Sequence, residues 1–334
     1  MHCIFLSIKH SCLAALLLFL MACGRSDTET LVVYSAGPRP LAEAICRAFE
    51  AETGMRIELF TATNGQIMAK LEAEKYRPRA DIVILASQVA AEALKQQDRL
   101  LAHSGDWWES TRTEWHDTDR KYFATSAGTV GIATRSSRPV PETWKTLFND
   151  PGAFGRVTMP SPSRSGSAGD FLVAYTLANK ESAWHQYRSA RSGGLEFAAA
   201  NNQAITGLLI GSYDVILAAV DYLIYRQVES GAPLKMSYPE PGPVVVARPI
   251  AILNSTGNSD GARRFVDFYF SDFAQNAVAA THLIPARHDI PLSSTREADG
   301  LPQGIDFHTG AALREYRTIL RRFQMEIERA AVVR

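Results

Sequence analysis

Leu31-Val32-Val33-Tyr34-Ser35-Ala36-Gly37-Pro38 starts as four large apolar or aromatic residues and ends in a turn of small ones. The first half reads as a buried strand, with β-branched valines suited to a sheet. Beyond the turn, Leu41, Ala44, Ile45, Ala48 and Phe49 recur at helical spacing. The unit is therefore strand, small-residue turn, helix. It repeats: Arg56-Ile57-Glu58-Leu59-Phe60 is a strand, Thr61 to Gly65 a turn, and Gln66 to Tyr76 a helix bearing Ile67, Met68 and Leu71. A third strand, Asp81-Ile82-Val83-Ile84-Leu85, leads into a helix beginning near Gln88. Strands alternating with helices imply an α/β fold, with a parallel sheet and helices on its faces.

After this block, His103 to Phe123 carries Trp107, Trp108 and Trp115 among charges and reads as a wrapping loop. Gly128 to Ala133 is a strand leaving the first unit, and Gly155 to Met159 opens a second sheet. Ser161 to Ala168 starts the helix that runs to Asn179, another helix surrounds Trp184, and Asn201-Asn202-Gln203 begins a third. Tyr213 to Val220 is a strand ending at Asp221-Tyr222, Val244 to Leu253 is a strand, and Ala262 to Ala280 and Ala311 to Ala330 are helical.

At the N-terminus, Lys9 precedes an apolar run from Leu13 to Ala22, which is the length of a secretory signal and too short for a membrane span. Leu20-Met21-Ala22-Cys23-Gly24 follows, with a small residue before the cysteine as signal cleavage requires. Residues 1–22 are expected to be removed, Cys23 to be lipidated, and residues 23–30 to form a polar tether on the periplasmic side of a membrane. Even without the signal, the chain of 334 residues exceeds the roughly 100 to 200 of one ordinary domain. Two lobes are expected. Lys and Arg total 35, as do Asp and Glu, so nothing points to nucleic acid as a partner. Cys3 and Cys12 leave with the signal and Cys46 sits in a helical pattern, so the mature chain has no disulfide. No histidine spacing fits a metal motif, and neither a metal nor a cofactor is expected.

Four turns gather small polar residues at a strand end or a helix start: Ser35-Ala36-Gly37, Thr61 to Gly65 (with Thr63 and Asn64), Ser163 to Ser167, and Asn201-Asn202. Helix N-termini carry unsatisfied N–H groups and about half a positive charge, so they hold anions without a lysine. In open α/β sheets ligands also gather at the carboxyl ends of strands. In Ser163-Arg164-Ser165-Gly166-Ser167, Gly166 admits backbone close to a ligand, Ser165 and Ser167 offer hydroxyls, and Arg164 offers a bidentate grip. The segment is neither a nucleophile elbow nor a phosphate-binding P-loop. Asp221 and Tyr222 stand at a strand end, where a carboxylate can accept from a hydroxyl or ammonium. Glu240, in Tyr238-Pro239-Glu240-Pro241-Gly242, is a looser candidate.

Taken in order, Leu31 to Ala36, Phe49-Glu50-Ala51-Glu52-Thr53-Gly54, Arg79-Ala80-Asp81-Ile82, Gly155-Arg156-Val157, Gly211 to Val215 and Ala219 to Tyr222 make the chain resemble the type 2 periplasmic solute-binding proteins of ABC importers. The likeness lies in the subgroup of ferric-iron, phosphonate and hexose-phosphate binders and spans Leu31 to Arg287. It implies two lobes joined by two crossover strands, near Thr125 to Ala133 and Val244 to Ile250. The first lobe would comprise residues 31–128 and 247–334 and the second 129–246. It also implies a monomer, without enzymatic activity, that closes over one solute and delivers it to an inner-membrane permease. Ferric-binding relatives place a His in the first turn, a Glu after the third strand and adjacent tyrosines after the late strand. This chain has Pro38 or Arg39, Ala86-Ser87 and Tyr222-Leu223 there. Only Tyr222 matches, and a hard trivalent ion needs anionic oxygens. The expected solute is therefore a sugar phosphate or aminoalkylphosphonate, with ferric iron or a ferric chelate as the alternative. Ser35, Thr63, Asn64, Ser165, Gly166 and Ser167 would grip the anion, and Asp221 would read the far end.

Overall fold

A computed structural model describes residues 30–297, 304–305 and 309–330. The signal, Cys23 and the tether lie outside these residues. The strands are β1 Thr30–Ser35, β2 Arg56–Thr61, β3 Ile82–Ile84, β4 Leu100–Leu101, β5 Phe123–Arg135, β6 Val157–Pro160, β7 Glu196–Ala198, β8 Val215–Val220, β9 Leu234–Ser237, β10 Val244–Leu253 and β11 Ile284–Pro285. The helices are α1 Arg39–Thr53, α2 Asn64–Ala73, α3 Gln88–Gln96, α4 Trp144–Asn149, α5 Gly166–Asn179, α6 Glu181–Ser192, α7 Asn201–Leu209, α8 Asp221–Glu229, α9 Ser259–Tyr269, α10 Asp272–Ala279, α11 Ser294–Glu297 and α12 Thr309–Phe323.

The first strand, turn and helix form as their residues dictate. Pro40 fits the first turn of α1, where a missing N–H costs nothing. At its end Gly54 adopts φ 73° and donates its N–H to the Glu50 carbonyl, a left-handed stop that glycine makes without strain. β1 pairs in parallel with β2 and β3. Its alternate residues serve two faces: Leu31 and Val33 meet Ile45, Phe49, Phe265 and Val278 on one, while Tyr34 meets Ile67, Leu71 and Leu94 on the other.

The order β2-β1-β3-β10-β5-β8-β6-β7 makes one hydrogen-bonded series, not two separate sheets. Both ends are parallel, and the antiparallel pair β10 and β5 joins them. β5 pairs with β10 from Phe123 to Val130 and with β8 from Val130 to Thr134. Gly131 sits where β5, β8 and β9 converge; a Cβ there would lie 2.4 Å from the Ser237 carbonyl oxygen.

The second lobe packs around Trp144, Phe148, Phe171, Tyr175 and Tyr187. Its central helix, α5, is buried from Ser167 to Thr176 on every side, as its nearly uncharged sequence requires. The C-terminal helix α12 and the π-helical turn after it add Ala312, Ile319, Phe323 and Ile327 to this core, rather than to the first lobe's. Asp170 is the one charged residue of α5. Ser87, preceding α3, donates its hydroxyl to Oδ1 of Asp170 at 2.8 Å and so ties the two lobes together. Oδ2 has no partner among the described residues. A second buried charge joins β5, α8 and α11. Arg296 and Asp221, both fully buried, form an ion pair at 2.5 Å, and Arg296 Nε donates to the His282 carbonyl.

Two stability predictions rest on these groups. Arg296→Met leaves Asp221 charged and unpaired in the interior, and should cost about 3–5 kcal/mol in urea unfolding. For Asp170, burial pushes the carboxyl up to about 8, against the Ser87 hydrogen bond that lowers it. A carboxyl raised above its unfolded value favours the fold in acid and loses that contribution as pH climbs toward the folded value. Between about pH 4 and 8 the loss accrues at about 1.4 kcal/mol per pH unit. Asp170→Asn should therefore melt above the natural chain at pH 8, with the gap narrowing toward pH 4. A gap independent of pH would show that the carboxyl does not titrate in this way.

Candidate functional site

The four polar turns meet at one crevice of about 530 Å³. From the first lobe come the ends of β1, β2 and β3, bringing Ala36, Thr63, Asn64 and Ala86 to the wall. From the second come the starts of α5, α7 and α8, bringing Arg164 to Ser167, Asn201, Asn202, Tyr222 and Arg226. Each piece arrives as a strand end or a helix start, where backbone N–H groups have no partner within the element.

How each helix start is capped decides what it leaves free. Thr63 caps α2 by accepting from Gln66 N, and Gln66 Oε1 accepts from Thr63 N in return. Asn64 Oδ1 accepts from Ala86 N at 3.0 Å, which fixes the β3 turn against α2. Ser165 caps α5 by accepting from Ala168 N at 3.3 Å. Its hydroxyl also lies 3.1 Å from that of Ser167, and Asn201 Nδ2 donates to Ser167 at 3.3 Å. Ser165, Ser167 and Asn201 thus hold one another in place. α7 starts at Ala200 with no side-chain cap, leaving its first N–H groups to whatever occupies the crevice. Gly166 comes close to the first lobe: a Cβ there would stand 3.4 Å from Cβ of Asn64.

Ala36, Thr63, Asn64, Arg164, Ser165, Gly166, Ser167, Asn202 and Tyr222 all line the crevice. Ser35 does not: it is buried behind the wall, and its hydroxyl accepts from Gly37 N at 3.1 Å. Asp221 is the larger departure. Its carboxylate accepts from Thr129 N at 2.8 Å, from the Thr129 hydroxyl and from Tyr222 N at 2.6 Å, and pairs with Arg296. Every lone pair faces the interior, so Asp221 cannot read a ligand. Glu240 is also away from the crevice, on the surface; its backbone pairs with Glu142 and Trp144.

Three further arginines line the crevice without having been singled out in the sequence: Arg39, Arg226 and Arg248. Arg39 pairs with Glu43 at 2.7 Å. Arg248 comes from β10 and is 6% exposed; Nη2 donates to the Ala36 carbonyl at 2.7 Å, and the guanidinium stands 5.8 Å from the Tyr222 ring. A lone cation inside the apolar run Val244 to Leu253 was the available signal. Arg226, one turn beyond Tyr222 on α8, had none beyond its spacing. With Arg164, the lining holds four arginines and no Asp, Glu or His. No cluster of three or more His, Cys, Asp or Glu suited to a metal occurs among the described residues. The remaining cysteine, Cys46, is buried, and burial pushes its thiol up to about 12.

The fold is similar to that of AfuA from Actinobacillus pleuropneumoniae, solved with exogenous fructose-6-phosphate bound, at a TM-score of 0.81 and 19% identity over 91% of this chain and 100% of that one. It is also similar to the ferric binding protein from Campylobacter jejuni, at a TM-score of 0.78 and 19% identity over 88% of this chain and 98% of that one. In sequence the chain is 24% identical over 262 residues to a probable ABC transporter periplasmic-binding protein of Sinorhizobium fredii, covering 75% of this chain and 72% of that protein. Among the described residues no helix is long and apolar enough to cross a membrane. With the two α/β lobes and their crevice in place, and residues 30–283 matching the model of the bacterial extracellular solute-binding proteins, the chain is a type 2 periplasmic binding protein by fold and belongs to that family.

Proposed function

We propose that the chain is the receptor of an ABC importer, capturing a small phosphorylated solute by lobe closure and performing no chemistry on it. One observation carries this reading: the crevice is walled by helix starts, hydroxyls and guanidinium groups, without a carboxylate. A phosphate gains charge-assisted hydrogen bonds from such donors, each contributing about 1.5–3 kcal/mol. The same lining favours a sugar phosphate over an aminoalkylphosphonate, because an ammonium finds no anionic partner there once Asp221 is committed to Arg296. A ferric ion fares worse: among the lining side chains only the Tyr222 oxygen is of the anionic type it needs, and the arginines repel it. The related structures include both one with a sugar phosphate bound and a ferric binding protein. The charge of the crevice favours the former.

Isothermal titration of the purified chain tests the reading. Glucose 6-phosphate or another phosphorylated solute should bind with release of heat, while ferric citrate should give none. Ferric binding accompanied by a visible charge-transfer colour, with no phosphorylated solute bound, would overturn it.

We also propose that lipid on Cys23 holds the receptor beside its permease. Two or more acyl chains are needed for durable anchoring, at about 0.8 kcal/mol per buried CH₂. Cys23→Ser should move the protein from the membrane to the soluble fraction while leaving solute affinity unchanged.

A further inference from the structure

The crevice holds two grips of different chemistry. Where Gly166 meets Asn64, the donors apart from the exposed Arg164 are uncharged: the starts of α2 and α5 and the hydroxyls of Ser165 and Ser167. Around Tyr222 they are cationic. Arg248 lies beside its ring and Arg226 one helical turn further along α8.

Arg248 is the informative member. A buried guanidinium carries five donors, and here the protein answers it with one carbonyl, that of Ala36, and one aromatic face. Among the described residues no carboxylate pairs with it, and the same holds for Arg226 and Arg164. Desolvating a cation without an anion is costly, so such a charge marks a place for a counter-charge. The nearest candidate along α8, Asp221, is fully taken up by Arg296 and Thr129.

The charge balance points the same way. With Arg39 neutralised by Glu43, three unpaired cations line the crevice. A phosphate monoester brings only about −1.5 to −2 at pH 7. One phosphate group leaves part of that positive charge unanswered, including the buried Arg248.

Resting on the phosphorylated-solute reading above, we propose that the natural ligand carries two anionic groups. A phosphate sits at the starts of α2 and α5, and a carboxylate or second phosphate sits between Arg226 and Arg248, with the Tyr222 ring against the carbon frame between them.

The full chain titrated with glucose 6-phosphate, 3-phosphoglycerate and fructose 1,6-bisphosphate at one fixed salt concentration tests this. The better of the two doubly anionic probes should bind about tenfold or more tightly than glucose 6-phosphate, equivalent to about 1.4 kcal/mol. Arg226 is exposed, so Arg226→Gln should fold normally. It should erase most of that preference, weakening the doubly anionic probes at least about fivefold more than glucose 6-phosphate. Glucose 6-phosphate binding as tightly as both doubly anionic probes, or Arg226→Gln weakening all three alike, would overturn the two-anion assignment and leave the phosphate reading standing. Binding of none of the three, nor of any other phosphorylated solute, would overturn both.

Discussion

β5 and β10 run side by side through the middle of the molecule, and their antiparallel ladder from Phe123 to Val130 and Val244 to Ile250 sets where everything else can lie. Two strands hydrogen-bonded to each other, each bordering one parallel end of the same series, fix the lobes' relative placement far more tightly than a loop would. The strand ends of one lobe then face the helix starts of the other. β10 shows how the crossing also makes the site. Its Val244 and Val246 belong to the second lobe's core, and its Ile250 and Ile252 to the first lobe's. These residues share one face of the strand because strand side chains alternate. Arg248 is the position between them on that face, where one core has ended and the next has not begun. The ladder shifts register between Arg248 and Pro249, where Thr125 of β5 is passed over and the proline offers no N–H. A polar side chain at that gap enters the crevice without breaking either core.

The two buried charges near α8 are treated in opposite ways. Asp221 receives two backbone N–H groups, a hydroxyl and a guanidinium, and with Arg296 it stitches α8 and α11 to β5. Arg248 receives one carbonyl and a ring. A carboxylate with all its partners inside the fold, an arginine among them, is structural, since breaking the pair leaves an uncompensated buried ion. Incomplete satisfaction at the wall of a cavity identifies the second as a group whose partner comes from outside.

The same contrast explains what the sequence disclosed. The β1 unit was legible because strand period, turn residues, Pro40 and Gly54 all agree locally. The polar turns were legible because a capped helix start has a local signature, as Thr63 with Gln66 and Ser165 both show. Asp221 was misread because a strand-end carboxylate looks alike whether it meets solute or Arg296, and Arg296 is remote in sequence. β5 begins earlier than the expected Gly128, since Ala124-Thr125-Ser126 resembles a turn and becomes strand only through pairing with β10. The expected helix from Ala262 to Ala280 is two helices, divided where Ser271 caps α10 by accepting from Ala274 N. β7 and β9 are too short, and too mixed in composition, to announce themselves before they find partners. The tryptophan-rich loop does wrap as expected, with Trp107 stacked on Phe270 at 3.8 Å between ring centres.

Closure itself follows from the crevice's charges. A solute shifts two lobes toward the closed form only by the difference in its interaction with the open and closed arrangements. Helix starts from one lobe alone offer a phosphate nearly the same contact in both, and so contribute little to that difference. Donors split between lobes contribute all of theirs on closing, and Asn64 and Gly166 meet across this divide. The arginines sharpen the effect from the other side. Bringing Arg164, Arg226 and Arg248 around one small volume removes the water that separates like charges, so an empty closed crevice is penalised by repulsion as well as desolvation. An anion between them converts both penalties into attraction. On the proposed reading the arrangement discriminates twice, penalising an empty closed crevice and drawing the lobes together around a solute of the right charge.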